Sequence, residues 1–328
     1  SSFYQVRGYM REAQAWLEAL LNHPENAGNL TSSLDVRAHG ALVAGNLSLR
    51  LHDYTKARNW LEESLRLYTQ LGETDHIGRA LNGMGIVALD QGHYAEAERL
   101  FRDAQEVHLS TGDTWSVASV INNLGETMRL QGRLEAARTC FADSATLYHQ
   151  VGDMSSSASS MNNMATIVRQ LGDFAEAQRL CEESYQVFSR LGDKQRMAYA
   201  RQNLARAEQA QGELERARQH YREAARFFFD VELQAHTLMS LIHLSHLEFE
   251  RGSWPPERAV LLLSRMAAFI EASEISLDPE DQSLYEQLTV KTRAVLSTAA
   301  FQTAWQRGYT LTLDQAVALA LGEATAQA

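Results

Sequence analysis

Proline is nearly absent from this sequence. It occurs four times in 328 residues, and never between Pro24 and Pro255. Because proline removes a backbone hydrogen-bond donor and clashes with the preceding helical turn, its absence leaves this stretch open to uninterrupted helices. Cysteine is also scarce: Cys140 and Cys181 lie far apart, without the close spacing of a zinc or redox motif. We expect both to be buried, reduced thiols.

Lysine and long apolar runs are rare as well. Of thirty Lys and Arg residues only Lys56, Lys194 and Lys291 are lysines, and the net charge is −11. An acidic chain without a basic cluster is not expected to contact nucleic acid directly. No apolar run approaches the roughly 18 residues of a membrane span, and the first residues are polar, so we expect a cytoplasmic protein without a membrane partner.

What the sequence does contain is a repeat of forty residues, clearest from Thr114 to Asp153. Glycines mark its period in two series, Gly72, Gly112, Gly152 and Gly192, and Gly92, Gly132, Gly172, Gly212 and Gly252. Glycine after the last turn of a helix supplies a left-handed backbone conformation. Asp113, Asp153 and Asp193 follow the first series and are predicted to cap the next helix. The pattern therefore predicts helical hairpins in tandem.

The hairpins divide the chain into four parts. Residues 1–21 are predicted to be the remnant of a preceding repeat, with its second helix starting near Tyr9, which implies more chain upstream. Residues 22–34 form a polar loop, 35–273 the repeat array with a degenerate last hairpin, and 274–328 a helical C-terminal cap. Within the array, first and second helices are expected at 35–51 and 54–70, 75–91 and 94–110, 115–131 and 134–150, 155–171 and 174–190, 195–211 and 214–229, and 234–251 and 256–273.

Columns of equivalent residues predict how the helices pack. Each second helix has a small residue in one column and, a turn later, a large one in most repeats. The small column is Ala57, Ala97, Ala137, Ala177 and Ala217; the next is Phe101, Phe141, Cys181 and Tyr221. On the first helices a column of small residues begins with Gly85 and Gly125. Small residues facing large ones let neighbouring helices interdigitate.

These columns resemble the tetratricopeptide repeat, although the period is forty instead of that family's usual 34 and the closing proline is missing. The resemblance implies an all-α, right-handed α-solenoid. Asn122–Gly125 (N-N-L-G) and Leu191–Asp193 (L-G-D) look like the sensor arrays of STAND-type bacterial signalling ATPases, including relatives of AfsR-type and LuxR-type transcriptional regulators. The segment from Phe301 to Val317, F-x-x-A-W-x-x-G-x-x-L-x-L-x-x-A, is similar to the end of such proteins.

No catalytic or phosphate-binding motif is present, so we expect neither an enzyme nor a bound cofactor. The G-x-x-x-x-G-K-[ST] loop of an ATPase is missing, and the resemblance therefore implies an upstream ATPase domain in the same polypeptide. His243 and His246 lie three apart on one helix, but without a third ligand we predict no metal site. A polar surface or capping role is favoured for them. Phe227, Phe228 and Phe229 are expected to pack at a repeat junction.

Polar residues recur on one side of the first helices, which we call the first-helix face. Spacings of three and four place them together on each helix, and the resemblance implies that this face lines a concave groove. The candidate ligand-binding residues are Asn82, Asn122, Asn123, Glu126, Arg129, Asn162, Asn163, Arg169, Asn203, Arg206 and His243. Asparagine is a poor helix former, so its repeated use needs a reason. Either these amides bind a ligand, or they form structural hydrogen bonds to neighbouring helices.

The resemblance implies a non-catalytic sensor module of a multidomain signalling or transcription regulator. The expected effector is a protein or peptide partner, or a small anionic molecule, because asparagine amides match a peptide backbone and arginines match carboxylate or phosphate. The alternative is a stand-alone scaffold that bridges protein partners and senses nothing.

Overall fold

The computed structural model describes residues 2–21, 32–273 and 277–322. Within these ranges the chain folds into sixteen α-helices and no strand. The helices are α1 (Ser2–Leu21), α2 (Ser32–Arg50), α3 (Tyr54–Leu71), α4 (Thr74–Asp90), α5 (Tyr94–Thr111), α6 (Thr114–Leu130), α7 (Leu134–Gln150), α8 (Met154–Gln170), α9 (Phe174–Leu191), α10 (Lys194–Ala210), α11 (Leu214–Asp230), α12 (Gln234–Glu250), α13 (Pro256–Ser273), α14 (Pro279–Val295), α15 (Thr298–Tyr309) and α16 (Leu313–Leu321).

The helical hairpins predicted from the forty-residue period, and the all-α solenoid class that the resemblance implied, are confirmed. The chain divides into two compact units, residues 1–171 with α1 to α8 and residues 172–328 with α9 to α16. In the first unit each helix from α2 to α7 packs against the helix that follows it. In the second unit each helix from α9 to α12 does the same. None of the described helices combines the length and the apolar character that crossing a bilayer requires.

The N-terminal prediction needs correction. No second helix begins near Tyr9, because α1 runs without interruption from Ser2 to Leu21. One glycine costs a helix only about 1 kcal/mol, so Gly8 alone does not end it. Helix α2 also begins at Ser32, inside the predicted 22–34 loop, whose residues 22–31 lie outside the described ranges. Whether α1 is the remnant of a repeat stays a prediction; it packs on α2, where Gln14 Nε2 donates to Ser48 Oγ over 2.9 Å.

The turns follow the predicted chemistry. All nine glycines of the two series have positive φ, as the left-handed conformation at a helix end requires. The three predicted caps are also in place. The side chains of Asp113, Asp153 and Asp193 each accept a hydrogen bond from the backbone N–H of the third residue of the helix that follows. Each carboxylate therefore satisfies an N–H group that has no partner within its helix.

The small columns are the places where helices touch. The five alanines of the second-helix column are all fully or almost fully buried. A Cβ added to Gly85 would lie 2.5 Å from the ring of Phe101, and one added to Gly125 would lie 2.9 Å from the ring of Phe141. In these two hairpins the first helix therefore meets an aromatic ring of the second helix through a position without a side chain. Phe228 is buried at a repeat junction as predicted. Neither cysteine is in a disulfide, but only Cys181 is fully buried.

The C-terminal helices cap the second unit. Helix α15 packs along α13, and α16 covers parts of α11, α12 and α13. Phe301 is buried, and its ring stacks on Trp305 with 5.6 Å between centroids. Phe301 shares a buried cluster with Val260 of α13, and Trp305 packs against that cluster. Gly308 lies against the backbone of Leu261, where an added Cβ would be 2.4 Å from the carbonyl oxygen. The Phe-x-x-Ala-Trp-x-x-Gly pattern is therefore the contact surface of the cap.

Candidate functional site

In the first unit the asparagines of the first-helix face are bonded to each other. Asn123 Nδ2 of α6 donates to Asn82 Oδ1 of α4 over 3.0 Å, and Asn163 Nδ2 of α8 donates to Asn122 Oδ1 of α6 over 3.3 Å. Each bond joins the first helices of two successive hairpins. These four residues are partly exposed, whereas Asn162 is buried. The amides therefore do have a structural role, and a ligand-binding role stays a prediction.

Two arginines follow the asparagines on the same face. Arg129 donates from Nε and Nη2 to the two carboxylate oxygens of Glu126, at 2.8 and 2.7 Å. This fork-to-fork geometry is the one in which guanidinium binds carboxylate best. Arg169 occupies the equivalent position one repeat later and is partly exposed. In the first unit the face therefore offers amides and guanidinium groups at two successive repeats.

In the second unit two predicted ligand-binding residues are already paired with the cap. Arg206 of α10 hydrogen-bonds to Asp281 of α14 and approaches Glu280 at 3.8 Å. His243 of α12 contacts the same oxygen of Asp281 at 3.1 Å and Arg206 Nη2 at 2.7 Å. Its ring lies parallel to that of Tyr221, with 5.4 Å between the centroids. The chain's own carboxylate thus binds where an anionic ligand was expected.

Burial determines the protonation of this cluster. Burial and the nearby positive charge of Arg206 lower the pKa of His243 to about 4, although Asp281 and Glu280 act in the opposite direction. Burial alone would raise the pKa of Asp281, but hydrogen bonding to His243 and the charge of Arg206 bring it down to about 2. Burial alone would lower the pKa of Arg206, yet Asp281 and Glu280 raise it. At neutral pH a neutral imidazole therefore lies beside a guanidinium–carboxylate ion pair.

The prediction of a polar surface or capping role for His243 is wrong, since its side chain is 6% exposed and belongs to this buried cluster. The sequence places it in the column of Asn123 and Asn163 but gives no sign of its partner on α14. Asn203 is partly exposed in the same unit. His246, one turn after His243, contacts Gln209 at 3.4 Å and Glu250 at 3.8 Å.

A second polar feature of this unit was missed from the sequence. A cleft of about 400 Å³ lies between α9, α10 and α11. In it the guanidinium of Arg201 stacks 3.9 Å above the ring of Tyr185 and pairs with Glu223 at 3.1 Å. Beneath it the fully buried Glu208 contacts His220 at 2.7 Å and Arg216 at 3.1 Å. The charged side chains of this cleft pair with each other, so we assign them a structural role.

The fold and the repeated columns define a helical-hairpin repeat protein. Models of the tetratricopeptide repeat match residues 37–110, 117–151 and 156–228, which together are more than half of the chain. The chain belongs to the tetratricopeptide-repeat family. Repeats of this family are typically protein-binding scaffolds without catalytic function. No curated protein matches the sequence.

Several solved structures share the fold. BtubC (BKLC) from P. vanneervenii is 16% identical, with a TM-score of 0.56 over 71% of this chain and 93% of that one. The STAND protein with a tetratricopeptide-repeat sensor, PH0952 from Pyrococcus horikoshii, is 11% identical, with a TM-score of 0.61 over 84% of this chain and 45% of that one. The Rap conjugation gene regulator of plasmid pLS20, in complex with the Phr* peptide, is 16% identical, with a TM-score of 0.56 over 83% and 80%. At these identities the likeness concerns the fold alone.

Proposed function

We propose that this chain is the sensing region of a larger signalling protein and that its first-helix face binds an acidic, peptide-like effector. One observation carries the proposal: the start of α14, Asp-Pro-Glu-Asp, already binds to this face through Asp281, Arg206 and His243. An acidic peptide segment is therefore a ligand whose charge and shape this face accommodates.

The first unit has the same kind of groups without a cap segment against them. Asparagine amides at successive repeats carry donors and acceptors that match the N–H and C=O groups of a peptide backbone. Arg129 and Arg169 add charge-assisted bonds to carboxylates, and an arriving carboxylate shares or exchanges their present partners. An acidic peptide lying across α6 and α8 would therefore find a guanidinium at each of the two repeats.

The sensing part of the proposal rests on the structural neighbours. One is described as the tetratricopeptide-repeat sensor of a STAND ATPase, and another is a gene regulator in complex with a peptide. By analogy, the peptide-bound state of this chain would be passed to an ATPase domain upstream in the same polypeptide, and then to signalling or transcription. A fold-level analogy supports this step without any site chemistry of its own.

The test is an array of synthetic acidic peptides, each paired with its Glu→Gln and Asp→Asn counterpart, with binding measured by fluorescence polarisation. We expect acidic members to bind more tightly than their amide counterparts. Asn163→Ala with Arg169→Ala should weaken that binding at least tenfold. Arg138→Ala is the matched control, because Arg138 lies exposed on the second helix α7 and pairs with Glu135 of its own helix.

Circular dichroism separates binding from folding. If the double variant loses helicity, Arg169→Ala alone, which keeps the amide bond to Asn122, takes its place. Equal affinity in a folded variant, or no preference for acidic over amide peptides, would refute the proposal. If acidic peptides do bind as expected, mass spectrometry of molecules that co-purify with the chain would identify the natural effector.

A further inference from the structure

One junction between repeats departs from the pattern at two positions that touch each other. The last turn of the second helices carries Tyr68, Tyr148, Phe188 and Phe228 in successive repeats, but His108 in α5. The first helix that faces this column carries Ala38, Ala118, Ala158 and Ala198, but Gly78 in α4. A Cβ on Gly78 would lie 2.6 Å from Cε1 and Nε2 of His108. The absence of a side chain at Gly78 therefore makes room for the imidazole of His108.

The imidazole is buried and points toward two carboxylates. His108 is 1% exposed, and its Nδ1 atom forms no hydrogen bond within the described part of the chain. Asp75 Oδ1 lies 3.8 Å from that atom. The ligand atoms of His108, Asp75 and Asp113 all lie within 4.8 Å of one another. A buried imidazole nitrogen without a partner is costly unless something binds it.

From these contacts we infer that Asp75, His108 and Asp113 form a binding site for a divalent transition-metal ion, with Zn²⁺ as the best match. One imidazole nitrogen and two carboxylate oxygens are ligands that zinc accepts, with bonds of about 2.0 to 2.2 Å and a fourth position left for water. In a tetrahedron of that size the ligand atoms lie about 3.4 Å apart. The partly exposed carboxylates would need to move by no more than about 1.5 Å.

The remaining contacts of the three side chains suit this role. Asp75 Oδ2 pairs with Arg79 at 3.0 Å, which turns Oδ1 toward the imidazole. One oxygen of Asp113 accepts from the backbone N–H of Ser116 at 3.0 Å, which fixes the carboxylate at the start of α6. Second partners of this kind orient metal ligands in proteins. A bound ion would join α4, α5 and α6, and so connect one hairpin to the next.

Protonation does not oppose metal binding. Burial lowers the pKa of His108, so the ring is neutral at physiological pH and its lone pair is available. Burial alone would raise the pKa of Asp113, but hydrogen bonding to Ser116 lowers it, so the carboxylate is ionised. The equivalent junction one repeat later shows the contrast: Tyr148 replaces the histidine, and Trp115 Nε1 donates to Asp153 over 2.9 Å. At that junction a side chain of the protein itself binds the aspartate.

The test uses the full chain, stripped with a chelator, dialysed, and titrated with ZnCl₂ in a calorimeter. We expect one equivalent of zinc to bind and to raise the melting temperature, and Co²⁺ to give visible absorption bands of a four- or five-coordinate site. His108→Phe should weaken zinc binding at least tenfold and abolish the thermal shift. We expect that variant to keep the fold, because phenylalanine occupies the same column in two other repeats.

Two further variants complete the design. Asp75→Asn should also weaken binding at least tenfold, and it tests the site even if His108→Phe misfolds. His93→Gln is the control, because His93 is an exposed histidine of the same unit that lies 3.9 Å from Glu96. Zinc binding that survives both His108→Phe and Asp75→Asn would overturn the assignment. A loss of zinc affinity in His93→Gln alone would also overturn it. The absence of zinc binding by the wild-type chain would do so as well.

Discussion

The ion pair between Arg206 and Asp281 allows a quantitative prediction. Asp281→Asn keeps the shape of the side chain but removes its charge, which leaves a guanidinium that is 13% exposed without its main partner. Breaking a buried ion pair from one side typically costs 3–5 kcal/mol. Because Glu280 remains at 3.8 Å and Asp281 itself is 18% exposed, we expect a loss of about 2–3 kcal/mol.

The assay is equilibrium unfolding in urea, monitored by circular dichroism, on a double-mutant cycle with Arg206→Met. Removing both charges should cost less than the sum of the two single substitutions, with a coupling of about 1–3 kcal/mol. The matched control is the exposed pair of Arg138 and Glu135, whose side chains are 51% and 67% exposed. Its coupling should stay below about 1 kcal/mol.

An additive cycle would refute this reasoning, since it would mean that Arg206 does not depend on Asp281. A loss below 1 kcal/mol for Asp281→Asn would do so as well. Either result would also remove the main support for an acidic ligand on the first-helix face, because that support is the binding of this carboxylate by Arg206 and His243.

Two further predictions concern the second unit. Gly308→Ala should destabilise the chain by about 1–3 kcal/mol through the clash with the Leu261 backbone, although alanine is the better helix former; a gain in thermal stability would contradict the packing of α15, and exposed Gln302→Ala is the control. The pKa of His243 is about 4 in the folded chain and near 6.5 in the unfolded chain. The contribution of this residue to the free energy of unfolding is therefore complete above pH 6.5 and is lost as the pH falls toward 4. At pH 5 the loss is about 2 kcal/mol. His243→Asn should remove this part of the slope of urea-unfolding free energy against pH, and an unchanged slope would contradict it; Asp281 titrates below this window.

The helices could be predicted from the sequence because their ends are set by local chemistry. From Tyr54 to Glu250 the predicted bounds agree with the structure within about one residue. Glycine in the left-handed conformation ends a helix, aspartate begins the next, and both recur every forty residues. The buried columns could also be predicted, since residues four apart, such as Ala137 and Phe141, lie on the same face of a helix, and both are buried.

The partners of the polar groups could not be predicted in the same way. Arg206 and Asp281 are 75 positions apart, and α14 lies beyond the point where the period breaks. The asparagine bonds connect residues 41 apart, so each amide pairs with the neighbouring column rather than its own. A forty-residue alignment shows that the columns exist, but it does not show which groups meet across two helices.

Positions that depart from the repeat are therefore the most informative part of this sequence. A buried apolar residue that recurs every forty positions is explained by packing, because each hairpin must bury the same surface against the next. His108 with Gly78, and Arg206 with His243, are not needed for that packing. Other repeats place an aromatic residue and alanine at the first two positions, and Glu126 or Thr166 with an asparagine at the other two. Each departure brings a nitrogen base next to carboxylates from a neighbouring helix. One arrangement suits a metal ion, and the other already binds an acidic segment of the same chain.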